Sequence, residues 1–508
     1  MSAVGAHSLA GVILRAAEVR EVERQYANLQ PALMERAGQA AAERAQALLV
    51  DKQGCVLVLA GPGNNGGDGF VVARLLRAAG CDVVMVCAAD ETRMPADARA
   101  ARLAWQAAGG QTVTDFLGGQ WGLAIDALFG IGLTRPLEGR YADWIARLNA
   151  LSCPVLSLDV PSGIDSDSGR VMGVAVRATH TSSFIALKPG LLTLDGPDHC
   201  GELALHALDL PPSSAEGRVL ERAHFAQGLR PRAANSHKGS YGQAGVIGGA
   251  AGMLGAALLA ARACLYGGAG RVYVGLLDLQ APTVDGMQPE LMLRPPGDLH
   301  LLCNALALGP GMGQSEVAGQ QLRRALGFSG PLVLDADALN LVASTPTLQT
   351  MLTQRESPTL LTPHPAEAAR LMQCALAEVQ SDRVTMCCAL ARRYRAHVLL
   401  KGAGSIVAFP DGRWFINLTG NAGLASAGSG DVLTGLLTAL LAQGWSAEAA
   451  LLGAVHLHGA AADELVSHGV GPVGLTAGEL APAARRLLNQ WVAAEQARSR
   501  GTSFSSHD

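Results

Sequence analysis

The chain repeatedly places an uninterrupted apolar run before a glycine-containing loop and a helical pattern, and this repeat constrains its fold most. The clearest case is residues 55–60, CVLVLA, followed by the glycine-rich residues 61–69 and a helical pattern over 70–79. Strands without polar alternation are typical of parallel sheets covered by helices on both faces. Further strand patterns of this kind cover residues 82–87, 123–126 and 155–159. The first half is therefore predicted to be an α/β domain with its ligand loops along one sheet edge.

The second half of the chain repeats the alternation of strand, loop and helix. Strand patterns cover residues 244–248, 305–308, 332–334 and 398–400. Between the halves the periodicity fades and Pro, Ser and Gly cluster, which marks a linker. The sequence therefore predicts a first domain over residues 1–215, a linker over 216–235, a second domain over 236–495 and a disordered tail over 496–508.

Composition excludes several classes of function. The 508 residues carry a net charge of −4 without a basic patch, so we expect no nucleic-acid partner. Ten cysteines without a CxxC pair and the lack of a visible targeting segment indicate a cytoplasmic protein with reduced thiols. Residues 239–261 lack charge but hold seven glycines, which favours strand, loop and helix over a membrane span. Only four of the 39 basic residues are lysines, so each retained lysine hints at a local requirement.

In the second half the most informative stretch is residues 420–435, GNAGLASAGSGDVLTG. Its small residues let backbone N–H groups approach a ligand, and a helix opening at Ser429 or Gly430 would direct its positive end at a phosphate. Asp431 would then stand in the first turn, as a base for a hydroxyl or as a ligand of Mg²⁺. The same residues also fit a capped, packed helix without a ligand, and this motif alone leaves both interpretations open.

The glycine-rich loop of the first half is neither GxGxxG nor a P-loop. Its asparagines and Asp68 add side-chain oxygens and amides that could hold a ribose, an amide or a hard cation. Asp126 and Asp159 end two other strands, so the three carboxylates could converge at one edge of the sheet. A single aspartate at a strand end is usually a helix cap or a loop hydrogen bonder, but three beside glycines favour a site.

The motifs GNNGGDG, DALFGIG, DVPSGID and ALKPG, in this order over residues 16–210, resemble the NAD(P)H-hydrate epimerases. The resemblance implies a Rossmann-like, three-layer fold and a K⁺ ion held by Asn65, Asp126 and Ser162, whose oxygens suit it. Asp159 is the candidate for proton transfer at the epimerised carbon. The residues implied to bind the hydrated dinucleotide are Asn64, Asn65, Gly66, Gly67, Asp68, Gly130, Ile131, Gly132, Leu133, Thr134, Arg135, Pro136 and Asp159.

Residues 236–478 carry HKGSYG, LGPGMG, DADALN, TPHP, KGAGS and NAGLASAGSGDVLTG, and resemble the ADP-dependent NAD(P)H-hydrate dehydratases. The resemblance implies a ribokinase-like α/β fold with Asp431 as the base and Mg²⁺ accompanying ADP; the residues themselves do not distinguish ADP from ATP. Residues implied to contact the hydrate are Ala256, Gly311, His364 and Asp431. Residues implied to bind the nucleotide are Lys401, Gly402, Ala403, Gly404, Ser405 and Gly430.

Together the two resemblances predict a bifunctional repair enzyme that forms homo-oligomers and acts on hydrated NADH and NADPH with ADP. One alternative is a ribokinase-like vitamin or sugar kinase fused to a nucleotide-binding regulatory domain. Another is a first domain that binds without catalysing. His456 and His458 stand two apart on a predicted helix and are poor co-ligands for a metal, whereas Glu367 fits either a first-turn helix charge or a ligand group.

Overall fold

The computed structural model describes residues 11–49, 54–116, 119–211 and 215–504. The chain divides into two compact units, Met1–Val219 and Leu220–Asp508. The division falls inside the segment 216–235, for which the sequence predicts a linker.

The first unit is built on a seven-stranded parallel sheet. The strands of the unit are β1 (Val12–Ile13), β2 (Val56–Ala60), β3 (Val83–Val86), β4 (Thr112–Val113), β5 (Leu123–Ala127), β6 (Val155–Leu158), β7 (His180–Phe184), β8 (Glu202–His206) and β9 (Gly217–Val219), of which β2 to β8 form this sheet. Its helices are α1 (Ala16–Gln25), α2 (Leu33–Leu48), α3 (Asn64–Ala78), α4 (Ala96–Ala107), α5 (Arg140–Asn149), α6 (Pro189–Leu192) and α7 (Gly196–Cys200). The sheet order is β4-β3-β2-β5-β6-β7-β8, and β1 pairs with β9 antiparallel.

This sheet lies between two helical layers. Val56, Val58 and Ala60 of β2 pack in one apolar cluster with residues of α2, α3 and α4. Leu57 and Leu59, pointing the other way, pack in a second cluster with residues of α5. The strand order reverses between β2 and β5, the position where Rossmann-like folds bind ligands beyond the carboxyl ends of the strands. The predicted α/β fold class and three-layer arrangement are confirmed.

One local prediction in this unit is wrong. The sequence predicts a loop before a helix over residues 70–79, but α3 already begins at Asn64. Glycines are needed here because the helix packs closely: a Cβ at Gly67 would lie 2.6 Å from Met34 Cε, and one at Gly69 would lie 2.6 Å from Ala127 Cβ. The apparent loop composition therefore serves helix packing, and Asn65 and Asp68 stand in the first helical turns.

The second unit contains a nine-stranded sheet in the order β18-β17-β16-β15-β14-β13-β10-β11-β12. Its strands are β10 (Gln243–Gly248), β11 (Arg271–Leu276), β12 (Met292–Leu293), β13 (Ala305–Leu308), β14 (Leu332–Leu334), β15 (Thr359–Leu361), β16 (His397–Leu400), β17 (Ser405–Ala408) and β18 (Trp414–Asn417). Strands β10 to β16 pair with one another in parallel. At one edge, β17 pairs antiparallel with β16, and β18 pairs antiparallel with β17. This unit is also α/β, as predicted.

Eleven α-helices of the second unit cover its sheet in the described part of the chain. They are α8 (Leu254–Tyr266), α9 (Leu299–Leu302), α10 (Glu316–Leu326), α11 (Ala336–Ser344), α12 (Pro346–Thr353), α13 (Pro365–Met372), α14 (Leu376–Ser381), α15 (Arg383–Tyr394), α16 (Ser429–Ala442), α17 (Ala447–Ser467) and α18 (Ala477–Phe504). None of the described helices is both long and apolar enough to cross a membrane.

Helix α16 is the central helix of the second unit. Every residue from Val432 to Ala442 is buried, so the helix has no solvent-facing side beyond its first turn. It packs against α8 so closely that a Cβ at Gly435 would overlap the carbonyl group of Ala260. This packing fixes the direction in which the first turn of α16 points.

The segment predicted as a linker has regular structure in its first half. β9 ends at Val219, and Arg222–Gly228 form a 3₁₀-helix. The physical reason is apolar burial, since three of its side chains lie in the core of the second unit: Leu220, Phe225 and Leu229.

The disordered tail predicted over residues 496–508 is also not observed as such. Helix α18 continues to Phe504, and residues 505–508 lie outside the described residues. The Ala, Gln, Glu and Arg residues that precede the serines have good helix propensity, and Glu495 and Arg498 form an ion pair one turn apart at 3.9 Å.

Candidate functional site

The carboxylate of Asp126 lies fully buried at the end of β5. It accepts hydrogen bonds from Ser162 N and Ser157 Oγ, both at 2.8 Å, and from Ser162 Oγ at 2.5 Å. Burial raises the pKa of Asp126, although these hydrogen bonds oppose the rise. None of the ion pairs among the described residues includes it, so this buried charge lacks the cation that normally offsets its desolvation.

Asn65 lies in the first turn of α3. It is 9% exposed, and neither Oδ1 nor Nδ2 has a hydrogen-bond partner among the described residues. Gly130 lies next to both Asn65 and Asp159, because a Cβ at Gly130 would lie 3.5 Å from Asn65 Oδ1 and 3.0 Å from Asp159 Oδ2. The structure therefore brings together three of the residues that the sequence predicts for the epimerase site.

Lys188 is a site residue that the sequence interpretation did not assign. Its side chain is fully buried, and Nζ forms an ion pair with Asp159. Nζ also donates to Phe184 O at 2.8 Å and to Ser183 Oγ at 3.1 Å. The scarcity of lysine in the chain was a signal for it, but the partner of Lys188 could be found only in the fold.

Two further carboxylates face this ion pair. Burial raises the pKa of Asp68 well above its ordinary value, with Asp159 and Glu23 adding to the rise and Lys188 opposing it. Burial also raises the pKa of Glu23, with Asp159 adding. The three carboxylates and the lysine therefore form one electrostatically coupled cluster, in which burial favours the protonated forms of Asp68 and Glu23. Glu23 of α1 carried no sequence signal.

The loop over residues 130–136 is tied to α1, because Arg20 Nη2 donates to Ile131 O at 3.1 Å. Leu133 is buried in the α5 side of the core, so only its backbone is available to a ligand. The predicted residues of this unit that are exposed are Asn64, Gly132, Thr134, Arg135 and Pro136.

In the second unit, α16 begins at Ser429 as predicted and places Asp431 in its first turn. The preceding loop is fixed by Asp463 of α17, which accepts from Gly420 N at 2.8 Å and from Asn421 Nδ2 at 2.9 Å. The first turn of α16 therefore has a defined position at the carboxyl ends of the parallel strands.

Asp335, at the end of β14, connects α16 to the loop after β16. It is 2% exposed; Oδ1 is 2.7 Å from Lys401 Nζ, and Oδ2 accepts from Thr434 Oγ1 at 2.8 Å. A Cβ at Gly430 would lie 3.5 Å from Lys401 Nζ, which places the first turn of α16 next to this ion pair. Asp335 belongs to the DADALN motif, and the sequence alone did not predict a role for it.

The protonation of Asp431 is set by these neighbours. Burial raises its pKa to about 7; Asp335 and Asp337 add to the rise, and Lys401 opposes it. Burial lowers the pKa of Lys401, but Asp335 and Glu367 outweigh this, so the net shift is upward. A carboxylate that titrates near neutral pH beside a charged ammonium can take and return a proton.

His364 lies beside the lysine loop, because Lys401 N donates to Pro363 O at 2.9 Å. It is the N-cap of α13: Nδ1 accepts from Ala366 N at 3.1 Å, and Glu367 Oε2 accepts from His364 N at 2.9 Å. Glu367 is therefore a first-turn capping group, one of the two roles that the sequence left open.

Ala256 in the first turn of α8 and Gly311 in the loop after β13 are neighbours. A Cβ at Gly311, whose φ is 56°, would lie 3.1 Å from Ala256 Cβ. The loop that contains Gly311 is held by Asp337, which accepts from Gly313 N at 2.8 Å. Because Asp337 also raises the pKa of Asp431, the loop that contains Gly311 lies within electrostatic reach of the first turn of α16.

Metal cages built from His, Cys, Asp and Glu are not found in the described part of the chain. Burial in α17 lowers the pKa of His456 and of His458 to about 4.

Comparison with known families matches the two halves separately. The profile of the YjeF-related protein N-terminus matches residues 30–190, and that of NAD(P)H-hydrate dehydratase matches residues 244–482. Among solved structures, the ADP/ATP-dependent NAD(P)H-hydrate dehydratase of Bacillus subtilis, co-crystallised with ATP and Mg²⁺, is 33% identical. It covers 54% of this chain and 98% of its own, with a TM-score of 0.49.

Whole-chain relatives span both matches. The bifunctional NAD(P)H-hydrate repair enzyme of Escherichia coli (strain K12) is 37% identical over 91% of this chain and 90% of its own length. That of Coxiella burnetii is 38% identical over 94% of this chain and 99% of its own. At this identity and coverage, the chain belongs to the family of bifunctional NAD(P)H-hydrate repair enzymes.

Proposed function

We propose that this chain repairs hydrated NADH and NADPH in two steps. The first unit interconverts the R and S hydrates, and the second unit dehydrates the S form with ADP, releasing NAD(P)H, AMP and phosphate. The observation that carries the proposal is the grouping of Asp431, Lys401 and Asp335 at the first turn of α16.

In the dehydration step, Asp431 accepts the proton of the C6 hydroxyl of the hydrate. The hydroxyl oxygen forms a bond to the terminal phosphorus of ADP, and the bond from that phosphorus to AMP breaks, so that AMP leaves with the electron pair. Phosphate then leaves C6, and loss of a proton from C5 restores the C5=C6 double bond. A base with a pKa of about 7 suits this role, because it is partly ionised at neutral pH and can release the proton again.

The charge of the phosphates is met by groups that are fixed before the nucleotide arrives. The Lys401 ammonium is held by Asp335, and the backbone N–H groups at the start of α16 point out of the helix. Mg²⁺ fits best as an ion carried on the nucleotide phosphates, since the described residues offer no cage of three acidic, histidine or cysteine ligands. It would supply further neutralisation of the phosphates.

The proposal is tested by incubating the chain with hydrated NADH and either ADP or ATP while absorbance at 340 nm is followed. Recovery of absorbance with release of AMP, or of ADP when ATP is used, supports the proposal. No recovery, with a phosphorylated vitamin or sugar formed instead, would establish the kinase alternative.

In the epimerase unit, we propose Asp159 as the group that moves a proton at the epimerised carbon. Lys188 fixes its carboxylate, and Asp68 has the raised pKa of an acid that can return a proton. Asp159→Asn is expected to stop exchange of the R and S hydrates while ADP-dependent dehydration of the S hydrate continues. Unchanged exchange in a folded variant would assign the chemistry elsewhere.

We also propose that K⁺ binds between Asn65, Asp126 and Ser162. Two observations support it: the Asn65 amide is buried without a hydrogen-bond partner among the described residues, and Asp126 is buried without a cation. The ion would supply the missing positive charge beside the substrate.

The potassium proposal predicts a higher melting temperature of the first unit in KCl than in choline chloride at equal ionic strength. Asp126→Asn is expected to remove this difference. An equal melting temperature of the unaltered chain in both salts would contradict the proposal.

Two predictions about context complete the proposal: the chain assembles into homo-oligomers, and it acts in the cytoplasm. Light scattering of the purified chain and fractionation of the native cells test them.

A further inference from the structure

Arg383, the first residue of α15, is among the largest fully buried side chains of the molecule. It is 2% exposed, and none of the ion pairs among the described residues includes it. Burial lowers its pKa to about 10. A buried guanidinium is costly, so the groups that it contacts show what it stabilises.

Its contacts converge on one loop. Nη1 donates to Ala403 O at 2.6 Å, and Nη2 donates to Lys401 O at 3.3 Å and to Leu400 O at 3.4 Å. A Cβ at Gly402 would lie 2.7 Å from Nη2, so the loop backbone rests directly on the guanidinium. One side chain therefore turns three backbone carbonyls of the 400–403 segment toward the protein interior.

The direction of these carbonyls also determines which groups point to the opposite side of the loop. The carbonyl and the N–H of one peptide unit point in opposite directions. Because Ala403 O points at Arg383, the N–H of Gly404 points away from it. That N–H donates to no acceptor among the described residues, and Gly404 has a φ of 62° that favours glycine. A backbone donor presented in this way suits an anion.

We propose that Arg383 is a positioning residue for the nucleotide: it fixes the peptide between Ala403 and Gly404 so that the Gly404 N–H faces a phosphate. The inference rests on the proposed role of residues 401–405 in binding ADP. Arg383 itself touches no nucleotide, because its guanidinium lies on the interior side of the loop.

Arg355 offers a matched control within the same unit. Its Nη1 donates to Leu326 O and Phe328 O, both at 2.8 Å, and its Nη2 donates to Gly330 O at 2.9 Å. Like Arg383, it is an arginine that stabilises a loop through backbone carbonyls. These carbonyls precede β14, at the amino ends of the strands and opposite the proposed nucleotide site.

The test compares Arg383→Lys with Arg355→Lys in the full chain. A lysine ammonium cannot span three carbonyls, so Arg383→Lys is expected to raise the Kd and KM for ADP about tenfold. The KM for the hydrate and kcat at saturating ADP should stay within about twofold. Arg355→Lys should lower the melting temperature and leave the KM for ADP unchanged.

A measurement on the unaltered chain covers the case in which Arg383→Lys does not fold. Hydrogen exchange with and without ADP should show protection of residues 401–405 and none of residues 326–330. Three results would each overturn the inference. They are an unchanged Kd for ADP in folded Arg383→Lys, an equal rise of that Kd in both variants, and no protection of residues 401–405 by ADP. Failure of the unaltered chain to bind ADP at all would instead overturn the proposed function.

Discussion

Asp431→Asn should make the second unit more stable at alkaline pH, although it removes the proposed base. The pKa of Asp431 is about 7 in the folded chain and 3.8 for an ordinary aspartate. Since its folded pKa is raised, the folded state is penalised progressively as pH rises from about 4 to 7, and the full penalty remains above pH 7. Asparagine does not ionise and avoids that penalty.

The size of the gain follows from the two pKa values. A rise from 3.8 to about 7 corresponds to about 4 kcal/mol of differential interaction between the two protonation states. Part of the carboxylate is exposed, and solvent screening reduces this to about 2 kcal/mol. For a unit of this size, about 2 kcal/mol raises the melting temperature by about 4 °C.

The assay is differential scanning calorimetry of the full chain and of Asp431→Asn at pH 5, 6, 7 and 8. The transition of the second unit is recognised by its shift on addition of ADP. Asp285→Asn is the control of opposite sign, because its hydrogen bonds with Arg262 lower the pKa of Asp285 and neutralisation should destabilise the chain near neutral pH. An Asp431→Asn effect that is the same at pH 5 and 8, or a loss of stability at pH 8, would refute the reasoning.

Three further changes test the packing and the ion pairs. Lys188→Met leaves Asp159 without its lysine partner and should destabilise the first unit by about 3 kcal/mol, measured by calorimetry. The same variant should lose exchange of the R and S hydrates but keep dehydration of the S hydrate, measured by the two activity assays. Thr434→Val removes the hydroxyl bound to Asp335 and should cost about 1–3 kcal/mol on thermal unfolding. Gly435→Ala forces a methyl group onto Ala260 O and should cost about 1–3 kcal/mol or more in the same measurement.

The sequence was most informative where chemistry and local pattern coincide. The apolar strands, the start of α16 at Ser429 and the place of Asp431 all follow from short-range patterns. The glycines among residues 66–69 led to the wrong prediction of a loop, because a glycine-rich sequence occurs both in loops and in tightly packed helices. Lys188 and Asp335 were not predicted as site residues because their partners, Asp159 and Lys401, follow strands that are distant in the sequence. Only the fold brings such pairs together.

The burial of α16 beyond its first turn also has a consequence for how the chain is made. A helix without a polar side needs partners on every face, and α17 and α18, two of its partners, are synthesised after it. During synthesis the second unit therefore cannot close its core until α18 has left the ribosome. The first unit has its sheet once β8 emerges, and domains generally fold in the order of synthesis. A nascent chain would therefore be able to epimerise the hydrate well before it can dehydrate it.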